Sequence, residues 1–435
     1  MKIYIFLLMA LFLINSAPSA NAQEYSQKEF DFLTDLQQKG DKKLSAYFIA
    51  ECEHYLKAYP FSEKAPDVLL LLGNEQMKTG ADHEALASLL KLKFIYPEFA
   101  AQNDIVTRIK KFVDSKRTFA KQKEKIVELS ATQPTAVENA ERYFNYLETM
   151  SVIAGSNMKK MLAPIVTQAY YFHTRFPDDA RRDSLSIWVA DIYRLYGKDR
   201  EAASEYLKFE FLFKTSRFLP YARYQRGLIF FEELKQPQTA IDIFQIVATE
   251  HKGTKFGSKA QFATGRVYEE KLKDYATAVA AYRKVATDFQ EGDIAVLALE
   301  KVANIQEKRF SAYADAIKTY HEIQEKYTGH VNSPRFLVEC AELYLKRLKD
   351  YNAAATHFAY AAERFPKDEN APDYWIAAGE ILDRRLNDYK QALEYYQQVI
   401  EKYPDHKKAR EAQKKIDKVE KKLAPQEENA SNSEN

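Results

Sequence analysis

From Ala202 to Pro404, small and apolar positions return along the chain at a fixed interval of 38 residues. Alanine stands at Ala202, Ala240, Ala278, Ala316, Ala354 and Ala392, and four residues after each comes an aromatic: Tyr206, Phe244, Tyr282, Tyr320, Phe358 and Tyr396. Seven after each alanine stand Phe209, Val247, Val285, Ile323, Ala361 and Val399, and eleven after it Phe213, His251, Phe289, Tyr327, Phe365 and Tyr403. Offsets of 0, 4, 7 and 11 trace one stripe on an α-helix, so every interval contains an amphipathic helix offering the same face. The small alanine lets another helix come close.

Thirteen residues before these alanines, Val189, Gly227, Gly265, Ala303, Ala341 and Gly379 mark a second small position in a preceding apolar segment. Each interval is therefore a helical hairpin. Its turn is visible at Lys273-Asp274-Tyr275, Lys349-Asp350-Tyr351 and Asn387-Asp388-Tyr389, where the aspartate is placed to accept the first backbone N–H groups of the second helix. A hairpin of this size cannot bury its own apolar faces, so neighbours must stack around a continuous core.

The pattern resembles the tetratricopeptide repeat family. In the last hairpin, Trp375, Gly379, Ala392, Tyr396, Val399 and Pro404 match in type and order the Trp, Gly, Ala, aromatic, Ala and Pro positions of that family. The family's usual repeat has 34 residues. Here one residue is added between the Gly and Ala positions and three more between the closing Pro and the next Gly position. Longer repeats ending in Tyr-Pro or Phe-Pro resemble those of bacterial envelope proteins, including the periplasmic lipoprotein of the β-barrel assembly machine. The run Tyr59-Pro60-Phe61-Ser62-Glu63-Lys64-Ala65 resembles linkers in that lipoprotein and in periplasmic proteins of envelope coordination.

The resemblance implies an all-α fold, a right-handed α-solenoid of helix-turn-helix repeats with a C-terminal capping helix. It also implies a concave groove lined by the first helices of successive hairpins, through residues three before, one after and four after the Gly position. Carried over, these are Tyr224, Leu228 and Phe231; Phe262, Arg266 and Glu269; Glu300, Asn304 and Glu307; Val338, Glu342 and Leu345; and Ile376, Glu380 and Asp383. Such a groove is aromatic near Gly227 and acidic toward the C-terminus.

Outside the regular stretch, Lys2, an apolar run from Ile3 to Ile14 and Ala20-Asn21-Ala22 read as a signal peptide, residues 1–22, cleaved after Ala22. No cysteine stands at the cleavage point, so the lipoprotein route of the barrel-assembly relative is not expected. Residues 23–100 read as hairpins in a shorter register, with Gly73 and Ala85 twelve apart and Leu89, Leu92 and Tyr96-Pro97 completing one repeat. Residues 101–178 break the register. They begin with a charged helix from Asp104 to Leu129, read mainly as a solvated face and secondarily as a docking surface, and continue with helices near 135–153 and 157–175 that form a degenerate repeat. The regular repeats occupy 179–404. A helix over 405–423, with Ala409, Ala412, Ile416, Val419 and Leu423 on one stripe, reads as the cap, and residues 424–435 as a disordered tail.

Composition narrows the function. With 64 basic and 62 acidic residues the net charge is +2, which provides no field to gather nucleic acid. Beyond the N-terminal run no stretch is apolar enough to span a membrane, though peripheral association stays open. Cys52 and Cys340 are expected as separate buried thiols, because stacked repeats hold distant sequence apart. His83-Glu84 and His321-Glu322 begin like a zinc-protease helix but lack the second histidine. Gly253-Thr254-Lys255-Phe256-Gly257-Ser258-Lys259 lacks the spacing of a phosphate loop, and His251 reads as packing. No catalytic residues, metal or cofactor are expected. The reading is an exported, periplasmic scaffold of a Gram-negative cell envelope that binds other proteins. The alternative is a structural subunit docked by its convex face or irregular region in an envelope machine for outer-membrane assembly, cell-wall remodelling, secretion or motility.

Overall fold

The helices of the chain follow one another in antiparallel pairs, seen in a computed structural model that describes residues 20–60, 62–132, 139–154, 159–289, 292–327, 329–330 and 332–433. The expected signal segment lies outside the described residues as far as residue 19. Among the described residues there are twenty-two α-helices and no strand, and the packing of consecutive helices is that of a tetratricopeptide-like solenoid. Contacts divide the chain into two units, Met1–Ser216 and Arg217–Asn435. The division falls within the stretch of regular repeats, after the first of them.

The first unit holds α1 (Ala20–Lys39), α2 (Ser45–Ala58), α3 (Ala65–Thr79), α4 (Asp82–Ile95), α5 (Pro97–Gln102), α6 (Ile105–Ser115), α7 (Lys123–Ala131), α8 (Asn139–Ala154), α9 (Leu162–Arg175), α10 (Arg182–Leu195) and α11 (Asp199–Leu212). The single charged helix expected from Asp104 to Leu129 is broken in two. Its backbone turns extended at Lys116 and a short 3-10 turn follows, which drives Phe119 into the core against Phe112 and His83. Burial of that ring outweighs helical continuity. Cys52 is a buried free thiol, pushed up to about 12 by its burial.

The second unit holds α12 (Leu219–Glu232), α13 (Pro237–Glu250), α14 (Lys255–Val267), α15 (Tyr275–Asp288), α16 (Gly292–Lys308), α17 (Tyr313–Lys326), α18 (Ser333–Leu343), α19 (Tyr351–Arg364), α20 (Ala371–Ile381), α21 (Tyr389–Lys402) and α22 (Lys407–Ser433). The alanines of the 38-residue pattern are all fully buried. At three hairpins the aromatic four residues after the alanine fills the place of the missing side chain across from it. A Cβ at Gly227, Gly265 or Gly379 would meet the ring of Phe244, Tyr282 or Tyr396 at 2.5, 2.6 and 2.6 Å. Alanine takes the small position at Ala303 and Ala341, and there the facing rings of Tyr320 and Phe358 stand slightly further out, 3% and 6% exposed against 0–1% for the other three. Cys340 is buried and unpaired in the core that Phe336 and Tyr320 share.

The extra residue of each hairpin is taken up in its turn. In α3–α4 the chain closes with a bond five residues back, Ala81 N–H to Gln76 O at 2.9 Å, with Gly80 in the left-handed region. In the second unit the closing bond reaches six residues back: Gln236 to Phe230, Asp274 to Tyr268, Ala312 to Gln306, Asp350 to Tyr344 and Asp388 to Leu382, all between 2.8 and 3.1 Å. At Tyr268–Leu272, Tyr344–Leu348 and Leu382–Leu386 this widening is a full π turn. The residue before each closing donor, Lys235, Lys273, Ser311, Lys349 or Asn387, sits at φ of 53–60°. Asp274, Asp350 and Asp388 then cap the second helix as expected.

The first regular hairpin differs. Lys198 N–H bonds Tyr193 O, five residues back, with Gly197 left-handed, so Ala190, twelve residues before Ala202, stands in the register of Gly73 and replaces Val189 as the small position.

At the C-terminus Ala412, Ile416 and Val419 are buried against the last hairpin. The helix does not stop at 423: it runs to Ser433 in place of the expected disordered tail.

Replacing Asp350 by Ala is expected to cost about 1 kcal/mol through loss of its cap. Replacing Lys349 by Gly is expected to gain on the order of 1 kcal/mol by relieving the left-handed backbone. Urea denaturation of the two variants against wild type reads both signs.

Candidate interaction surfaces

Among the first helices of the second unit α12 packs beside α14 and α14 beside α16, and α20 packs beside α22; the residues carried over from the family pattern lie on α12, α14, α16, α18 and α20 and the turns that end them. Two of them are core residues: Phe231 is 1% exposed and Ile376 5%. Tyr224 and Phe262 are half-buried, with Tyr224 against Phe244 and Phe256 and Phe262 against Tyr282. Leu228, Val338 and Leu345 are half-buried at the margins of the same cores. These apolar side chains leave part of each ring or branch open along the row.

The charged members are held by neighbouring hairpins. Arg266 bonds Glu270 at 2.9 Å, reaches back to Glu232 at 3.5 Å and lies over the Phe231 ring. Glu269 accepts from the Tyr282 hydroxyl at 2.7 Å and from Lys301 of the next first helix at 3.3 Å. Glu300 pairs with Arg335 at 2.7 Å and Glu342 with Lys346 at 2.6 Å, while Asn304 donates to the Glu300 carbonyl. The last two carboxylates are covered by α22: Glu380 pairs with Lys415, and Asp383 with Lys422 at 2.5 Å. The acidic end is thus largely neutralised by the chain itself. Glu339, which the family offsets miss, sits near Glu307 and Glu342; burial and those two neighbours raise its carboxyl pKa.

Other groups come together only in three dimensions. Thirty-six residues apart in sequence, His321 and His357 face each other with their Nε2 atoms 3.3 Å apart, and burial followed by that neighbour lowers the His321 pKa. Among the described residues no group of three or more His, Cys, Asp or Glu could hold a metal ion, and no helix is long and apolar enough to cross a membrane.

The first unit contains a cavity of about 390 Å³ between α4, α8 and α9, walled in part by Tyr96, Tyr143, Tyr171 and Phe176. Lys91 points its ammonium into these rings, 4.5 Å from the centre of Tyr171 and 5.2 Å from that of Tyr143, and donates to Gln168 at 3.0 Å. Burial brings its pKa down from the ordinary 10.5 to about 7.

Set beside known proteins, residues 221–254, 259–291 and 376–406 match the family model described as Tetratricopeptide repeat. These segments fall on three hairpins of the second unit, α12–α13, α14–α15 and α20–α21. No curated protein matches the chain. Among solved structures, a tetratricopeptide repeat protein from Parabacteroides merdae is similar at 15% identity and a TM-score of 0.34, over 62% of this chain and 97% of that one. Pseudomonas aeruginosa pilF is similar at 16% identity and 0.32, over 54% and 97%. The P58(IPK) TPR domain is similar at 14% identity and 0.28, over 92% and 99%.

The depressed pKa of Lys91 fixes a sign. Between about pH 7 and the ordinary lysine value the unfolded chain binds this proton and the folded chain does not, so stability from this site is lowest below pH 7 and rises as pH increases toward 10. Relative to Lys91→Met, wild type is expected to gain on the order of a few kcal/mol over that range. Denaturation at several pH values measures it, and a constant difference between the two proteins contradicts it.

Proposed function

We propose that the chain is an exported scaffold that binds other proteins of a cell-envelope complex along the row of first helices. The observation that carries this reading is the set of partly open aromatic and aliphatic side chains on three first helices, Tyr224 and Leu228 on α12, Phe262 on α14, and Val338 and Leu345 on α18 and the turn that ends it, the first two hairpins lying in segments that match the tetratricopeptide model. A preformed row of this kind receives an extended segment or a helix of a partner without paying for its own ordering. The charged positions add register rather than a net field, because Glu269, Glu300 and Arg266 are already paired within the chain. Export rests on the signal-like residues 1–22. The covering of Glu380 and Asp383 by α22 favours, at that end alone, the second reading: a docked subunit whose row is filled by its own chain.

In-cell crosslinking followed by mass spectrometry tests the proposal. Reproducible protein partners linked to Lys259, Lys301 or Lys346, on a chain whose N-terminus is Gln23, are expected. Links confined to residues 110–125 would replace the scaffold by a subunit docked through α6 and the turn that follows it. Self-links alone, or an N-terminus at Met1, would overturn binding or export respectively.

A further inference from the structure

The 38-residue interval carries one more series that the two helix faces do not use. Every hairpin runs out along its first helix and back along its second, so the turns within hairpins lie on one edge of the second unit. At the last position of each widened turn stand Leu234, Leu272, Phe310, Leu348 and Leu386. The middle three point outward, 42%, 47% and 41% exposed. Just before them, Lys271, Arg309, Arg347 and Arg385 reach back over a ring of the preceding hairpin, Phe231, Tyr275, Tyr313 and Tyr351 in turn, at 4.8–5.7 Å. Just after the exposed leucines come Lys273 and Lys349, exposed and held left-handed.

None of these six cations has a carboxylate within salt-bridge distance among the described residues. Of the carboxylates on the same edge, Glu233 and Asp315 are exposed, and several others are engaged elsewhere. Asp274, Asp350 and Asp388 accept backbone N–H groups as caps, Glu270 holds Arg266, Glu269 holds Lys301, and Asp383 holds Lys422. The edge therefore presents three exposed apolar side chains on successive hairpins, Leu272 and Leu348 each between two cations and Phe310 beside Arg309.

We propose that this edge rests on an anionic lipid surface. Apolar side chains spaced one hairpin apart suit a fluid boundary, where each enters between headgroups on its own while the neighbouring lysine and arginine stems extend to the phosphates. The rings beneath Arg309, Arg347 and Arg385 hold the guanidinium groups at that level. The +2 net charge of the whole chain makes the contact local to the edge, without long-range attraction.

Flotation of the full chain with phosphatidylcholine vesicles, with and without phosphatidylglycerol, tests it. Wild type is expected to float only with the anionic vesicles and to be released by high salt. The variant Leu272→Ser/Phe310→Ser/Leu348→Ser is expected to bind at least about tenfold more weakly. Lys273→Glu/Lys349→Glu, which changes only partnerless side chains, is expected to weaken binding and flatten its salt dependence. Circular dichroism establishes that both variants keep their helices. Failure of wild type to float with anionic vesicles, including a case where the edge instead captures an acidic protein, overturns the proposal. Equal flotation of wild type and the triple variant also overturns it.

Discussion

The hairpins of the second unit depend on one steric fit, an aromatic ring of the second helix lying where the first helix has no room for a side chain. At Gly227, Gly265 and Gly379 the ring atoms stand closer than any Cβ could tolerate. The fit brings the two helices together and buries a large aromatic surface. It also fixes which face of each first helix turns toward the next hairpin. The exposed margins that carry the functional proposals are consequences of that choice, since residues one and four places along the same helix follow from where the glycine faces.

A second constraint follows from length. A hairpin whose small positions stand thirteen residues apart must either rotate its helices or store the additional residue, and the second unit stores it by widening the last turn of the first helix. The left-handed residue that follows is lysine, serine or asparagine rather than glycine, a backbone cost that the stacked hairpins outweigh. At three of the wide turns the last apolar residue stands exposed, and at four the penultimate cation lies over a ring of the preceding hairpin. One storage device thus shapes both the helix register and the chemistry of an edge.

Much of this was legible before any coordinates. The buried alanines, the rings four residues on, the aspartate caps and the capping stripe of α22 follow from period and residue type, because each is a local pattern repeated often enough to stand out. What escaped depends on contacts that spacing does not encode. The interval of thirteen reveals an added residue without saying whether it rotates a helix or widens a turn, and it misassigned Val189 where the turn stays narrow. The charge density of residues 104–129 hid the break that buries Phe119. Offsets from the glycine named Glu300, Glu380 and Asp383, but their neutralisation by Arg335, Lys415 and Lys422 needed the stacking of separate hairpins. The cavity around Lys91 draws on helices far apart in sequence, with no periodic trace.

The fit of ring and glycine is best tested by a double-mutant cycle on Gly265 and Tyr282. With tyrosine in place, Gly265→Ala forces a methyl group into a ring that lies 2.6 Å from it and should lose about 1–3 kcal/mol despite alanine's better helix propensity. In a Tyr282→Leu background the same alanine should be neutral or stabilising, giving a coupling of at least about 1 kcal/mol by denaturation. Equal effects of Gly265→Ala in the two backgrounds would mean that the ring and the glycine do not meet, and the account of how these hairpins are held would fail.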